Sequence, residues 1–343
     1  MNYKDQKAVV LKTRRIHYID VAKGILILLL LVSHFGTIVN RIDIDGASFA
    51  CVYYLYSFFW PFFMEGFFFV SGYCSHFDVD PLTFLKKQVK ELVVPWAFFV
   101  VLNKGIYSIP VMISVGGAHS DVFWFLIALF FSKWIVYLIR KVIKSERLIL
   151  AICLFLFVLS TVMSQYNILV NVFYVWQALG ATLFVDLGIY MKHQPKLYNK
   201  LSGSFWAVAV YVVLCLMMIF FNFRVPPLDA GYHPSILQAS GIIVWSIFGI
   251  FALLSICRKI DANRLLEFWG RNTLVIYCFH AIPYMFVVYL LSIVSPPRSV
   301  SLFQGILFFA VAFGLELLIM SLVVRLFDFY PFRLFIGKWS KKR

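Results

Sequence analysis

The sequence is poor in charged residues, and in acidic residues above all. Only 14% of its 343 residues are charged, whereas 62% are hydrophobic. Soluble globular proteins have roughly 25% and 45–50%, so an ordinary soluble protein is excluded. The six cysteines lie apart without a close pair and indicate neither a disulfide framework nor a metal site. We find no short-period repeat and no low-complexity tract.

Acidic residues are outnumbered by basic ones, 16 against 31, which gives a net charge of +15. The basic residues form no stripe interleaved with aromatic residues in a polar background, so the excess does not predict nucleic-acid binding. They lie instead in the loops between apolar runs, where their positions carry information about membrane topology.

The chain is rich in long apolar runs. A run of about 20 apolar residues spans a hydrocarbon core of ~30 Å as a helix, because lipid offers backbone groups no hydrogen-bond partner. We count ten such runs. They cover residues 16–39, 53–75, 92–107, 122–139, 148–164, 169–191, 205–221, 236–256, 273–294 and 303–326. The predicted fold class is therefore all-α, a polytopic membrane bundle of about ten transmembrane helices.

Basic residues alternate between successive loops, as expected when short cytoplasmic loops are enriched in Lys and Arg. The basic clusters lie at residues 4–15, 86–90, 140–147, 192–200, 258–264 and 333–343. This pattern predicts that both termini are cytoplasmic, which agrees with an even number of spans. No small-residue cleavage site closes the first run, so we expect an uncleaved span. A single membrane domain over residues 1–343 is predicted in the inner membrane, with a cytoplasmic segment 1–15 and a basic cytoplasmic tail 328–343.

The first run contains three ionisable side chains, Asp20, Lys23 and His34. Such residues cost roughly 2.5–3.5 kcal/mol at the centre of a membrane helix and are default functional candidates. Lys23 and His34 are eleven residues apart, so both should face the same way, about 16 Å apart along the axis. Asp20 lies one turn before Lys23, close enough to pair with it.

The second run contains Glu65 among aromatic residues. We expect it to face the interior at about the depth of Lys23 and to neutralise Lys23 or a bound substrate. The alternative is a carboxyl group that only locks helices together.

Four short motifs occur in a characteristic order. They comprise residues 19–24 followed by Ser33 and His34, residues 67–73, residues 124–126, and residues 270–277 followed by His280. Together they resemble the bacterial membrane-bound acyltransferase 3 family, which includes polysaccharide and lipopolysaccharide O-acetyltransferases, and the resemblance spans most of the chain. Lys23 stands where Arg is commoner in that family. Lys87 and Lys90 are similar to its basic pair before the third helix.

The resemblance implies an acyltransferase that uses cytoplasmic acyl-CoA, commonly acetyl-CoA, as a co-substrate, with no permanently bound cofactor. It implies as acceptor a hydroxyl group of a cell-envelope carbohydrate or a lipid-linked glycan. Donor phosphates would lie near Lys23, Lys87 and Lys90. Trp124 and Tyr73, whose rings can stack on sugar faces, and Ser71 of the second motif are the expected acceptor contacts.

His34 is the predicted general base, because an imidazole can take a proton from an acceptor hydroxyl near neutral pH. It could instead carry the acyl group covalently. His280 is a second candidate, as a partner of His34, as an oxyanion donor, or as a histidine bonded only to a neighbouring helix.

Two other functions are compatible with the composition. One is a transporter or flippase, although no repeated halves with matched Gly and Pro interruptions are present. The other is a non-catalytic relative that acts as a sensor or scaffold.

Overall fold

The computed structural model describes residues 16–41, 58–104, 123–168, 172–221, 225–226, 228, 234–294 and 302–337. The predicted segment 1–15 and residues 338–343 lie outside it, as do residues 53–57, 105–107, 122 and 169–171 of the predicted spans. In the described residues all regular structure is helical, which confirms the all-α class. The α-helices are α1 (His17–Arg41), α2 (Phe63–Cys74), α3 (Pro81–Gln88), α4 (Val94–Lys104), α5 (Trp124–Val142), α6 (Glu146–Gln165), α7 (Val175–His193), α8 (Pro195–Gly203), α9 (Trp206–Phe220), α10 (Ile236–Ile260), α11 (Arg264–Arg271), α12 (Thr273–Phe279), α13 (Ala281–Val294) and α14 (Leu302–Leu326). A π-helical turn, Val89–Val93, joins α3 to α4, and 3-10 turns occupy Val172–Tyr174 and Phe332–Ile336.

A helix occupies each of the ten predicted apolar runs where the structure describes it. Within the described part of the chain, four helices are long and apolar enough to cross a bilayer, namely α1, α6, α10 and α14. The number becomes six if α8 with α9 and α12 with α13 each form one bent span. Helix α5 contains three basic residues, and α7 contains an Asp and a Lys. These charges make both helices too polar to be recognised as membrane spans from composition alone. Ten spans and cytoplasmic termini stay predictions.

The ninth predicted run is not straight. Helices α12 and α13 meet at His280 with a bend of 53°. Pro283, in the first turn of α13, has no backbone N–H and cannot continue the hydrogen-bond ladder of α12. The run therefore contains two helices, and His280 lies at their junction.

Glycines bring two helix pairs into backbone contact. A Cβ atom on Gly24 of α1 would collide with the carbonyl oxygen of Leu266 in α11, and one on Gly270 would collide with that of Asp20. Gly72 of α2 and Gly188 of α7 make the same kind of approach. Small residues allow membrane helices to pack this closely, so α11 is held directly against the first turns of α1.

A charged cluster joins α5, α6 and α7. Arg140 Nε donates to Asp186 Oδ1 at 2.8 Å, and its two terminal nitrogens donate to the Glu146 carboxylate at 3.0 Å each. His193 Nδ1 lies 3.0 Å from Glu146 Oε1. The Arg140 guanidinium pairs with both carboxylates, so the fully buried Asp186 has a counter-ion, as a buried charge requires.

Candidate functional site

A cavity of about 430 Å³ opens between α1, α2, α3, α5, α11 and α12. Ligand sites in proteins typically occupy 300–1,000 Å³. Its charged lining residues are Asp20, Lys23, Lys87, Glu91, Lys133 and Arg271. Apolar and aromatic side chains close the deeper part, among them Ile27, Phe67, Phe125 and Tyr277. The cavity therefore combines a cationic end with an apolar interior, which suits an elongated ligand with an anionic head and a less polar arm.

Asp20 and Lys23 line this cavity together. Lys23 Nζ donates to Asp20 Oδ1 at 3.3 Å, one helical turn away. The predicted pair is confirmed. Asp20 is buried, whereas the Lys23 side chain is 27% exposed. The Lys23 amine can therefore contact both Asp20 and a ligand in the cavity.

Lys133 enters the cavity from the opposite wall. It lies in the middle of α5 and is 7% exposed. Three charged groups lie within electrostatic range of its amine: Glu91 in the π-helical turn, Lys87 in α3 and Lys23 in α1. Lys133 was not predicted from the sequence, although it is an ionisable side chain inside an apolar run, as Lys23 and Glu65 are.

Arg271 is placed by a small hydrogen-bonded group at the start of α1. Its guanidinium donates to Glu267 Oε2, and His17 Nδ1 lies 2.8 Å from Glu267 Oε1. The hydrogen bond from His17, assisted by Arg271, holds the pKa of the Glu267 carboxyl below its ordinary value. Asn263 caps α11 by accepting from the backbone N–H of Leu266. These contacts fix the helix that carries Arg271 to the one that carries Lys23.

His34 and His280 meet further along α1. Their ring centroids are 4.7 Å apart. His280 is fully buried, and its Nδ1 lies 2.8 Å from the carbonyl oxygen of Tyr277. Because a carbonyl only accepts, Nδ1 carries the proton, and Nε2 of a neutral ring is then an acceptor. Among the described residues Nε2 has no hydrogen-bond partner.

Tyr277 connects the histidine pair with the cavity. It lines the cavity, its hydroxyl accepts from the backbone N–H of Phe125 at 3.3 Å, and its ring lies 6.4 Å from that of His280. The two histidines do not line the cavity themselves. They lie beyond its apolar end, about 16 Å along α1 from Lys23.

The other predicted site residues divide into two groups. Ser71 and Lys87 line the cavity with Asp20 and Lys23. Lys90 belongs to the π-helical turn and is not a lining residue. Trp124 is buried against Phe68 and Phe125, and Tyr73 packs on Tyr198 with centroids 4.9 Å apart. Neither of the two predicted sugar-stacking rings lines this cavity.

Glu65 is fully buried, as expected, but its partner differs from the predicted one. Its Oε1 accepts from the backbone N–H of Leu228 at 2.8 Å, while Lys23 pairs with Asp20. The reason is its position on α2. Gly66 faces α1, since a Cβ there would lie 3.0 Å from the Leu26 side chain, and Glu65 is turned about 100° from it. This geometry favours the alternative in which Glu65 joins parts of the bundle.

A second buried acid, Glu316, was not singled out from the sequence. It lies in α14 with 0% exposure, and neither carboxyl oxygen has a hydrogen-bond partner within the described ranges. The hydroxyl of Tyr284 in α13 is equally without one there, and the two groups lie within electrostatic range. Tyr284 contacts Phe35 at 5.9 Å, so these polar groups adjoin the histidine end of α1.

No group of His, Cys, Asp and Glu residues suited to a metal ion occurs among the residues described. Comparison with curated proteins gives no match, nor does comparison with solved structures. The sequence profile of a family described as an acyltransferase domain matches residues 16–325. The chain therefore belongs to the membrane-bound acyltransferase 3 family.

Proposed function

We propose that the protein is an integral membrane O-acyltransferase that moves an acyl group, acetyl in the simplest case, from cytoplasmic acyl-CoA to a hydroxyl group of a cell-envelope carbohydrate or lipid-linked glycan. The observation that carries the proposal is the arrangement along α1. A cavity with four cations lies at one end, and two histidine rings in contact lie beyond its apolar end.

The donor would lie along α1 with its diphosphate at the cationic end. Lys23, Lys87, Lys133 and Arg271 supply positive charge there, against the carboxylates of Asp20 and Glu91. Charge-assisted hydrogen bonds to phosphate are the strong ones. The pantetheine arm is a long extended chain, so the ~16 Å between Lys23 and His34 can be bridged by it.

In direct transfer, His34 takes the proton of an acceptor hydroxyl while the oxygen attacks the thioester carbonyl carbon. The tetrahedral intermediate then expels the thiolate of CoA, which takes up the proton from His34. His280 would act as a positioning residue, because its Nδ1–H is fixed on Tyr277 and its ring packs against His34. In the covalent alternative, the His34 imidazole attacks the thioester carbonyl carbon and CoA leaves as a thiolate, which takes up the proton that the ring gives up. The acceptor hydroxyl then attacks the acyl-imidazole, its C–N bond breaks, and the hydroxyl proton passes to the released imidazole.

The proposal is tested with the full chain purified into lipid nanodiscs. Radiolabelled acetyl-CoA is supplied together with envelope glycans and glycolipids from cells that lack the protein, and the label is followed into each fraction. We expect transfer by the wild type and a loss of at least a hundredfold in His34→Ala, as for removal of a general base. Ser33→Ala is the matched control, because its hydroxyl bonds only to the Leu30 carbonyl of its own helix among the described residues.

Two results would overturn the proposal. Transfer at the wild-type rate by His34→Ala would remove the assigned chemistry. Movement of a glycolipid across the membrane without any acyl transfer would favour the flippase instead. Acyl-protein trapped in the absence of acceptor, and absent from His34→Ala, would select the covalent route.

A further inference from the structure

A second cavity, of about 450 Å³, adjoins the first. It lies between the segment that follows α2, the end of α5, the start of α6 and the end of α7. Ser75 and His76 line both cavities, so the two spaces meet at these residues. A single long ligand could therefore occupy both.

The second cavity is lined by four cationic side chains and by only two carboxylates, those of Asp78 and Glu146. One of the cations, Arg140, is already engaged by Asp186 and Glu146. Lys141, Lys144 and Lys192 also line it, and among the described residues none of the three forms an ion pair with a carboxylate. Lys192 donates to the carbonyl of Ser75 at 2.8 Å, which directs its charge to the junction. That charge lowers the pKa of His76.

Two aromatic rings line the same cavity. Phe77 and Tyr137 lie nearly parallel, with centroids 6.3 Å apart, and the Tyr137 hydroxyl donates to the carbonyl of Val79 at 2.8 Å. Lys141 lies over the Tyr137 ring at 5.2 Å. Phe77 is half-buried, so part of its ring can be reached from the cavity. Aromatic faces beside cations are suited to a nucleobase that carries phosphate.

We infer that this second cavity binds the nucleotide end of the acyl-CoA donor. The ribose phosphate would lie at Lys141 and Lys144, and the adenine against Phe77. The diphosphate and the pantetheine arm would pass Ser75 and His76 into the first cavity. This inference rests on the proposed function, because it takes acyl-CoA as the donor.

The test compares the binding of CoA and of 3′-dephospho-CoA to the full chain in nanodiscs by titration calorimetry. We expect the wild type to bind CoA about tenfold more tightly than the dephospho form, since a phosphate bonded by charged groups contributes at that level. The double variant Lys141→Ala/Lys144→Ala should bind CoA about tenfold more weakly than the wild type and leave dephospho-CoA binding unchanged. Lys196→Ala/Lys200→Ala removes two lysines of α8 that line neither cavity and should change neither affinity.

Each contrary result is distinct. Equal wild-type affinity for the two ligands, or an equal loss for both in the double variant, would overturn the inference and leave the proposed function intact. If the wild type binds neither ligand, the proposed function fails and the inference fails with it. A CoA preference that disappears when phosphatidylglycerol replaces phosphatidylcholine in the nanodisc would assign the cavity to a lipid phosphate instead.

Discussion

Lys133 places a positive charge where the fold itself gains little from one. It is buried in α5, where the carboxylate of Glu91 lies within electrostatic range together with two further cations, Lys87 and Lys23. A buried charge that is weakly compensated lowers stability. Its position is understandable if an anionic ligand completes the site.

We predict that Lys133→Met weakens donor binding without weakening the fold. The KM for acetyl-CoA should rise about tenfold, because one charged hydrogen bond to phosphate is lost. The midpoint of thermal unfolding should stay the same or rise, because an apolar side chain of similar length replaces a buried charge. Lys86→Met is the control, since Lys86 is exposed on α3 and lines neither cavity. An unchanged KM would remove Lys133 from the donor site.

Glu316 is a buried acid in α14 whose replacement should stabilise the fold. Its carboxyl oxygens have no hydrogen-bond partner in the part of the chain that the structure describes, and replacing such a buried polar group by an apolar one removes a desolvation cost of about 1–3 kcal/mol. Glu316→Leu should therefore raise the thermal unfolding midpoint in detergent. Glu267→Leu should lower it, because that carboxylate is bonded by His17 and Arg271. If both variants lower the midpoint alike, Glu316 has a structural partner.

Glu267 makes the stability of the fold depend on pH. Its pKa in the folded protein is lower than its unfolded pKa near 4.5. The ionised carboxylate therefore contributes stability above pH 4.5, and this contribution is lost as the pH falls through the folded pKa. The stability difference between wild type and Glu267→Gln should be present at pH 7 and shrink below about pH 4.5. A difference independent of pH between 7 and 3 would contradict this account.

The candidate site depends on backbone contact between two helices, α1 and α11. Gly24 and Gly270 allow this contact, and it sets the positions of Asp20, Lys23 and Arg271 around the cavity. The motif that contains Gly270 was recognised by resemblance. Its packing role follows from the structure alone, since α11 lies between two predicted spans and no helix was predicted there.

We predict that Gly270→Ala reduces acyl transfer and stability together. The added Cβ collides with the carbonyl of Asp20, so α11 must shift, at a cost of about 1–3 kcal/mol. Gly314→Ala is a matched control in α14, where an added Cβ would meet no other described part of the chain within 4 Å beyond the adjacent turns of its own helix. That variant should be neutral or more stable by up to about 1 kcal/mol. Equal effects of the two substitutions on thermal unfolding would show that close packing is not the cause.

Contacts within one helix could be predicted from the sequence, and contacts between distant segments could not. The Asp20–Lys23 pair and the common face of Lys23 and His34 follow from helical periodicity alone. The partner of Glu65 is the backbone N–H of a residue 163 positions away, and no local pattern contains that information. The proximity of His34 and His280 was only one of three possibilities, because it depends on how α12 packs against α1.

For the whole molecule, the predicted topology places both cavities at the cytoplasmic side. The segments that surround them contain the basic clusters near residues 86–90, 140–147 and 192–200. The positive-inside pattern therefore predicts the orientation that the proposed cytoplasmic donor requires.

This orientation can be tested by cysteine labelling in a variant that lacks the native cysteines. Lys144→Cys and Lys196→Cys, both exposed near the cavities, should react with a membrane-impermeant maleimide only in inverted vesicles. Ile168→Cys, in the exposed turn after α6, should react only in intact right-side-out cells. The reverse pattern would turn the bundle over and separate the cavities from the cytoplasm.

The bend at His280 has a mechanical consequence. A continuous helix would couple α12 rigidly to α13, whereas the 53° break divides the segment at the residue that contacts His34. A rotation of α13 about this joint would carry Tyr284 with it and leave Tyr277, Lys23 and the cationic wall in place. Such a rotation would reshape the histidine end of the proposed site while the cationic end keeps its form.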